Sequence, residues 1–161
     1  MINQDERPGY GYQLKQGATS LAEAWDANHN ASHNHFMLGH ITEWFYSHLV
    51  GIQSDLTKPG FKKIIIAPAP VDHLKWAEAK YESLHGPIFV HWERENQRFT
   101  LQVRIPANTT AIVHVPASVE SAIYESDQPV DKVAGVRLLQ RKNHKAVFEI
   151  ESGEYRLQST L

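Results

Sequence analysis

The hydrophobic pattern of the 161-residue chain changes period once. From Asn34 to Gly51, the residues Met37, Leu38, Ile41, Trp44, Phe45 and Leu49 recur at spacings of three and four. That is the signature of a helix face, and Gly51 stands where a left-handed residue would end it. Phe36 and Tyr46 widen the apolar arc beyond one stripe, so this helix is expected to be covered on most sides. Upstream, Ser20-Leu21-Ala22-Glu23 has the form of a capping box, in which a hydroxyl and a carboxylate satisfy free amides of a first helical turn. A shorter helix is therefore expected to open at Thr19 or Ser20 and fade near Asn28 to Asn30.

After the polar stretch QSDLTKPG, residues 53–60, which reads as a linker, the period becomes two. Residues 62–68 are a β-branched run closed by proline, and residues 74–83 and 86–95 alternate. Residues 98–106 put Phe99, Leu101, Val103 and Ile105 on one face. Glu95-Asn96-Gln97 reads as a hairpin turn, and residues 110–116 as a further strand. Weaker strand signals follow at 120–125, 135–140, 146–150 and 154–158, with a turn at 141–145. Short strands at this spacing predict an antiparallel β-sandwich. The expected fold class is α+β by chain, a short helical N-terminal segment followed by that sandwich. The helices are placed in residues 1–52, the linker in 53–60 and the sandwich in 61–161.

Proline supports the division, since one lies at position 8 and the other seven from Pro59 onward. Charge follows it too: residues 1–52 carry two basic and five acidic side chains, and residues 53–161 carry fourteen and thirteen. The whole chain has a net charge of -2 and 42% hydrophobic residues, which excludes wholesale disorder and gives no basic field to attract nucleic acid or anionic membrane. No stretch approaches the roughly 18 apolar residues of a membrane span, and MINQDERPGYGYQ lacks the basic start and apolar run of a signal peptide. A soluble protein is expected, with no membrane and no nucleic acid among its partners. The absence of cysteine removes disulfides, thiolate metal sites and thiol nucleophiles without fixing the compartment.

The densest polar chemistry lies in residues 17–48, which hold five of the ten histidines together with Glu23, Asp26, Glu43, Trp25 and Trp44. Indoles beside carboxylates and imidazoles suit sugars, because an aromatic face packs on the apolar side of a pyranose while polar groups hold its hydroxyls. His29, His33 and His35 fall within seven residues, but they match no zinc signature and the sequence around them reads as loop. No metal and no cofactor is expected. On residue type alone, Glu23 reads first as the acidic member of a capping box, and Trp25 and Trp44 as core. Trp76, Tyr81 and Trp92 lie on expected strands, where they either fill the sandwich core or form a binding face.

A resemblance adds to this reading. Residues 8–52, PGYGYQLKQGATSLAEAWDANHNASHNHFMLGHITEWFYSHLVGI, resemble the closing stretch of the catalytic barrel of bacterial α-L-rhamnosidases. Residues 60–70, 74–95, 99–117 and 152–157 resemble the C-terminal module of the same enzymes. The resemblance implies an (α/α)6 barrel remnant followed by the sandwich, and an inverting hydrolase acting on rhamnose-containing glycosides or oligosaccharides. Glu23, inside the Gly17-Ala18-Thr19 to Trp25 pattern, matches the position of the general base. His35 matches a sugar contact, and Trp25 a wall of the pocket. The proton donor of the family lies on barrel helices upstream of this stretch, so the rest of the barrel is the implied partner and the chain alone is expected to be inactive. The family commonly has a bulky aromatic before the base and a polar or basic residue after it, where this chain has Ala22 and Ala24. A wider pocket is implied. The apolar residues Phe36, Met37, Trp44, Phe45 and Tyr46 are also expected to drive homo-oligomer formation through the helical segment. The alternative function is a non-catalytic sandwich that braces a neighbouring domain or binds carbohydrate.

Overall fold

The computed structural model describes residues 4–161 and divides into two compact units, one ending at Trp44 and one running from Phe45 to Leu161. In the first, helix α1 spans Tyr10–Lys15 and its capping amides fold back onto Leu14 and Tyr12. The helix expected to open at Ser20 does not form. The Ser20 hydroxyl donates to the His33 carbonyl, and the Glu23 amide donates to the Ser32 carbonyl at 2.8 Å. Both capping-box partners are thus taken by a neighbouring segment, and tertiary hydrogen bonds outweigh a local signal worth about 1 kcal/mol. A 3-10 turn at Phe36–His40 and helix α2, Ile41–Trp44, close the unit.

The second unit opens with a π-helical turn, Phe45–Val50, so the regular helix expected from Asn34 to Gly51 is instead three short pieces of different pitch. Gly51 ends it as its position suggested. Its φ of 90° lies in the left-handed region, its amide reaches the Tyr46 carbonyl at 3.0 Å, and a Cβ there would stand 2.3 Å from the Ala67 carbonyl carbon.

Eleven strands follow: β1 Ile52–Ser54, β2 Lys63–Ile66, β3 Trp76–Ser83, β4 Gly86–Glu95, β5 Arg98–Ile105, β6 Thr110–Pro116, β7 Tyr124–Glu125, β8 Gln128–Pro129, β9 Val136–Lys142, β10 Lys145–Ile150 and β11 Gly153–Thr160. One sheet has the order β1-β2-β6-β10-β9 and the other β3-β4-β5-β11-β7-β8, the two faces of the expected sandwich. All pairings are antiparallel except β2 with β6. Strand β1 occupies Gln53 and Ser54 of the stretch that reads as linker, because Ile52 is buried and pairs with Ile66. The signal at 120–125 condenses to Tyr124–Glu125.

Period-two alternation fills the space between the sheets. Ile64 and Ile66, Ile88, Val90 and Trp92, Phe99 and Leu101, Val113 and Val115, Phe148 and Ile150, and Leu157 are all fully buried. Val103 and Ile105 complete the expected inward row of β5. Two tight turns use residues that tolerate left-handed backbone: Asn96 between β4 and β5, and Asn143-His144 between β9 and β10, where both φ values are positive as a type I′ turn requires. The outermost strand β9 is exposed along most of its length and carries Arg137, Arg141 and Lys142, charges that discourage pairing with a further strand.

His114 on β6 is half-buried, and burial, helped by the nearby Lys145 charge, holds its pKa below the ordinary 6.5. Its neutral form is favoured on folding, so the unfolded chain binds the proton more readily. Stability from this residue is therefore complete above pH about 6.5 and declines as the pH falls through that value toward the lower folded pKa. Urea midpoints measured between pH 7.5 and 5 are expected to decline, and His114→Gln is expected to make the decline shallower.

Candidate active site

Glu23, Trp25 and His35 all lie in the N-terminal unit, on two segments that run side by side. The His35 amide donates to the Leu21 carbonyl at 2.8 Å, two residues before the Glu23–Ser32 hydrogen bond, so Glu23 and His35 belong to the same irregular ribbon. The Ser32 amide also faces Glu23 Oε2 at 3.4 Å, a long contact that leaves the exposed carboxylate available to solvent and ligand. Between the two segments the chain turns back sharply. Ala27 has a φ of 54°, the Asn28 amide donates to Asp26 Oδ1 at 3.1 Å, and the Asn30 amide donates to Asn28 Oδ1 at 2.9 Å. These side-chain turns suit Asp and Asn, which is why a loop rich in them can return Ser32 to Glu23.

Trp25 is half-buried and meets Tyr10 edge to face, with ring centroids 4.8 Å apart and an interplanar angle of 89°. Its carbonyl accepts from the Gly9 amide at 3.2 Å, while the Tyr10 hydroxyl donates to the Leu38 carbonyl. Helix α1 thereby holds the indole in place and leaves it partly exposed. His29 and His33 stack on one another at 6.1 Å rather than converging with His35 on a point. Among the described residues, no group of three or more His, Cys, Asp or Glu is placed to hold a metal.

The sequence gives no indication of the part taken by Gln13. This side chain on α1 is 3% exposed, and its amide donates to the carbonyls of Ala22 at 3.2 Å and Ala24 at 2.9 Å, the residues on either side of Glu23.

The three aromatics of the sandwich part company. Trp92 fills the core, fully buried, with Nε1 donating to the Leu49 carbonyl at 2.9 Å and its ring stacked 6.1 Å from Phe99. Trp76 is 56% exposed and stacks on His91 at 6.1 Å, and His91 in turn meets Glu78 at 3.1 Å. Tyr81 is partly exposed against Phe61. Core filling therefore holds for Trp92 and not for the other two, which sit on β3 at the sheet edge. On the same sheet, Phe89, Gln102, Arg104, Glu154 and Arg156 line a groove of about 380 Å³, spanned by the Arg104–Glu154 ion pair at 2.7 Å.

Comparison with known proteins agrees with this architecture. Residues 1–49 match the bacterial alpha-L-rhamnosidase six-hairpin glycosidase domain, and residues 51–129 match the bacterial alpha-L-rhamnosidase C-terminal domain. The chain belongs to the bacterial α-L-rhamnosidase family of glycoside hydrolases. An alpha-L-rhamnosidase of Streptomyces avermitilis is 30% identical over 97% of this chain and 15% of its own length. The solved alpha-L-rhamnosidase of Dictyoglumus thermophilum superposes with a TM-score of 0.86 at 31% identity, covering 100% of this chain and 18% of that one. The Streptomyces avermitilis enzyme, solved in complex with L-rhamnose, gives 0.83 at 28% identity, over 98% of this chain and 15% of that one. The chain thus spans less than a fifth of the length of these relatives. Among its described residues no helix is long and apolar enough to cross a membrane.

Proposed function

We propose that this chain supplies the water-activating carboxylate of an inverting α-L-rhamnosidase, with Glu23 as general base and the proton donor on the remaining barrel. The observation that carries the reading is an exposed Glu23 carboxylate on a backbone fixed from both sides, by Ser32 and by Gln13. In the reaction, water adds to the anomeric carbon of a terminal α-L-rhamnose from the face opposite the leaving oxygen. Glu23 takes the water proton as the C–O bond breaks, and the donor on the barrel protonates the departing oxygen. The sugar leaves with inverted configuration, which requires the two carboxyl groups to stand about 6.5 to 9.5 Å apart, with a water between one of them and the sugar. His35 contacts the sugar, and Trp25 closes one side of the pocket against its apolar face. Phe36 and Met37, 83% and 63% exposed, form a surface suited to the other barrel helices or to a second copy of the chain.

The test is complementation. Mixed with a polypeptide carrying the remaining barrel helices, the chain is expected to release phenol from an aryl α-L-rhamnoside, and neither part alone to do so. Proton NMR should show β-L-rhamnose as the first-formed sugar. Hydrolysis by the barrel polypeptide alone at the rate of the mixture would remove this chain from the chemistry.

A second reading, a sandwich that binds saccharide without cleaving it, is favoured by the exposed Trp76 stacked on His91. Titration of the chain with rhamno-oligosaccharide separates the two, since that reading requires a tryptophan fluorescence change at millimolar ligand that Trp76→Ala abolishes.

A further inference from the structure

We infer that Gln13 is a positioning residue for the Glu23 carboxylate, an inference that rests on the reading of Glu23 as base. A glutamine inside a helix ordinarily points to solvent, and removing its head group from water costs free energy unless its polar atoms are paired. Here the side chain is 3% exposed, and its Nε2 is within hydrogen-bonding distance of the Ala22 and Ala24 carbonyls, at 3.2 and 2.9 Å. An sp² amide nitrogen carries two hydrogens in one plane, so a single head group can hold two carbonyls two residues apart. The chain bends at Glu23 and Ala24, and the Glu23 amide between the two held carbonyls donates to the Ser32 carbonyl at 2.8 Å. Holding the Ala22 and Ala24 carbonyls therefore fixes the peptide units on both sides of Glu23, and with them the point from which its side chain reaches the Ser32 amide, 3.4 Å from Oε2.

The flanking alanines are part of the device. Ala22 is fully buried, so a larger side chain there would have to displace its neighbours in the segment whose carbonyl Gln13 holds. Helix α1 is itself tied to the chain on both sides of Glu23: the Gly9 amide holds the Trp25 carbonyl, and the Gln13 carbonyl accepts from the Ala18 amide at 3.0 Å. The clamp is thus one side chain on a short, fixed helix. It acts through the backbone and touches neither the carboxylate nor a substrate. Activation of water is sensitive to placement, and a displacement of about 1 Å in a catalytic group costs on the order of 100-fold in rate.

The experiment compares Gln13→Met, of similar length but without donors, with Gln13→Glu, of the same shape with carboxyl oxygens in place of the amide. In the chain alone, hydrogen exchange in the peptide covering residues 21–25 is expected to speed up at least about 10-fold in Gln13→Met, while peptides of β4 and β5 stay unchanged. In the chain complemented with the remaining barrel, kcat is expected to fall about 10- to 100-fold with KM within about threefold of the parent, the mark of a misplaced group rather than lost binding. Gln13→Glu is expected to recover rate toward acid pH, where the protonated carboxyl can again donate to one carbonyl. Unchanged exchange, or an unchanged kcat while Glu23→Gln is inactive, overturns the inference. So does loss of folding in both variants, which would make Gln13 a folding residue. Full activity in Glu23→Gln would instead overturn the reading of the base, whatever the exchange result.

Discussion

Glu23→Gln is expected to lower kcat on an aryl α-L-rhamnoside by about 10²- to 10⁴-fold in the complemented enzyme, with little change in KM. The substitution preserves the size and planarity of the side chain and leaves the Ser32–Glu23 backbone hydrogen bond intact, because that bond uses only main-chain atoms. What it removes is the ability to accept a proton from water. A phenol leaving group needs little help from the proton donor, so the assay weights the contribution of the base. Loss of rate with KM retained would mean that the ground-state complex forms and the chemical step fails. A variant with unaltered kcat would show that Glu23 does not activate water and would return it to a purely structural role.

Trp92→Ala is expected to destabilise the sandwich by about 3 to 5 kcal/mol, measured by urea denaturation of the chain and followed by circular dichroism. The indole is fully buried between the sheets, and its removal opens a cavity beside Phe99, 6.1 Å away, that the surrounding strands cannot fill without leaving their registers. It also strands the Leu49 carbonyl, which accepts from the indole at 2.9 Å. Against a total of about 5 to 15 kcal/mol for a domain, this is enough to leave a large unfolded fraction under mild conditions. Trp76→Ala, on the same sheet but 56% exposed, is expected to change stability by no more than about 0.5 kcal/mol. Equal effects from the two would contradict the assignment of Trp92 to the core.

The sandwich could be read from sequence because its signal is local and repeated. Phe99, Leu101, Val103 and Ile105 alternate with outward residues, and a strand half-buried in a sheet admits no other arrangement. The turn residues Asn96 and Asn143 reinforced the same registers. Pairing order was not available in this way: that β2 lies parallel to β6, 47 residues apart from Lys63 to Thr110, depends on contacts no window contains. The N-terminal unit was harder for the same reason. Ser20 and Glu23 form a well-made capping box, yet their partners are His33 and Ser32, brought back by the Asp26-to-Asn30 turns. Of the candidate site, Glu23, Trp25 and His35 were identified by resemblance, not by periodicity. Gln13 was invisible because the chemistry of a buried glutamine depends on which carbonyls it meets. Trp76 and Trp92 differ by sixteen positions and a change of face, and only the sheet decides between them.

Trapping with azide bears most directly on the role of this chain in the enzyme. Azide attacks the anomeric carbon without needing to lose a proton, and in Glu23→Ala it can enter the space the carboxylate leaves. With an aryl α-L-rhamnoside and the complemented variant, the expected products are the phenol and β-L-rhamnosyl azide, at a rate well above that of the variant without azide. Hydrolysis by Glu23→Ala at the parent rate, with no glycosyl azide formed, would contradict the assignment of water activation to residue 23.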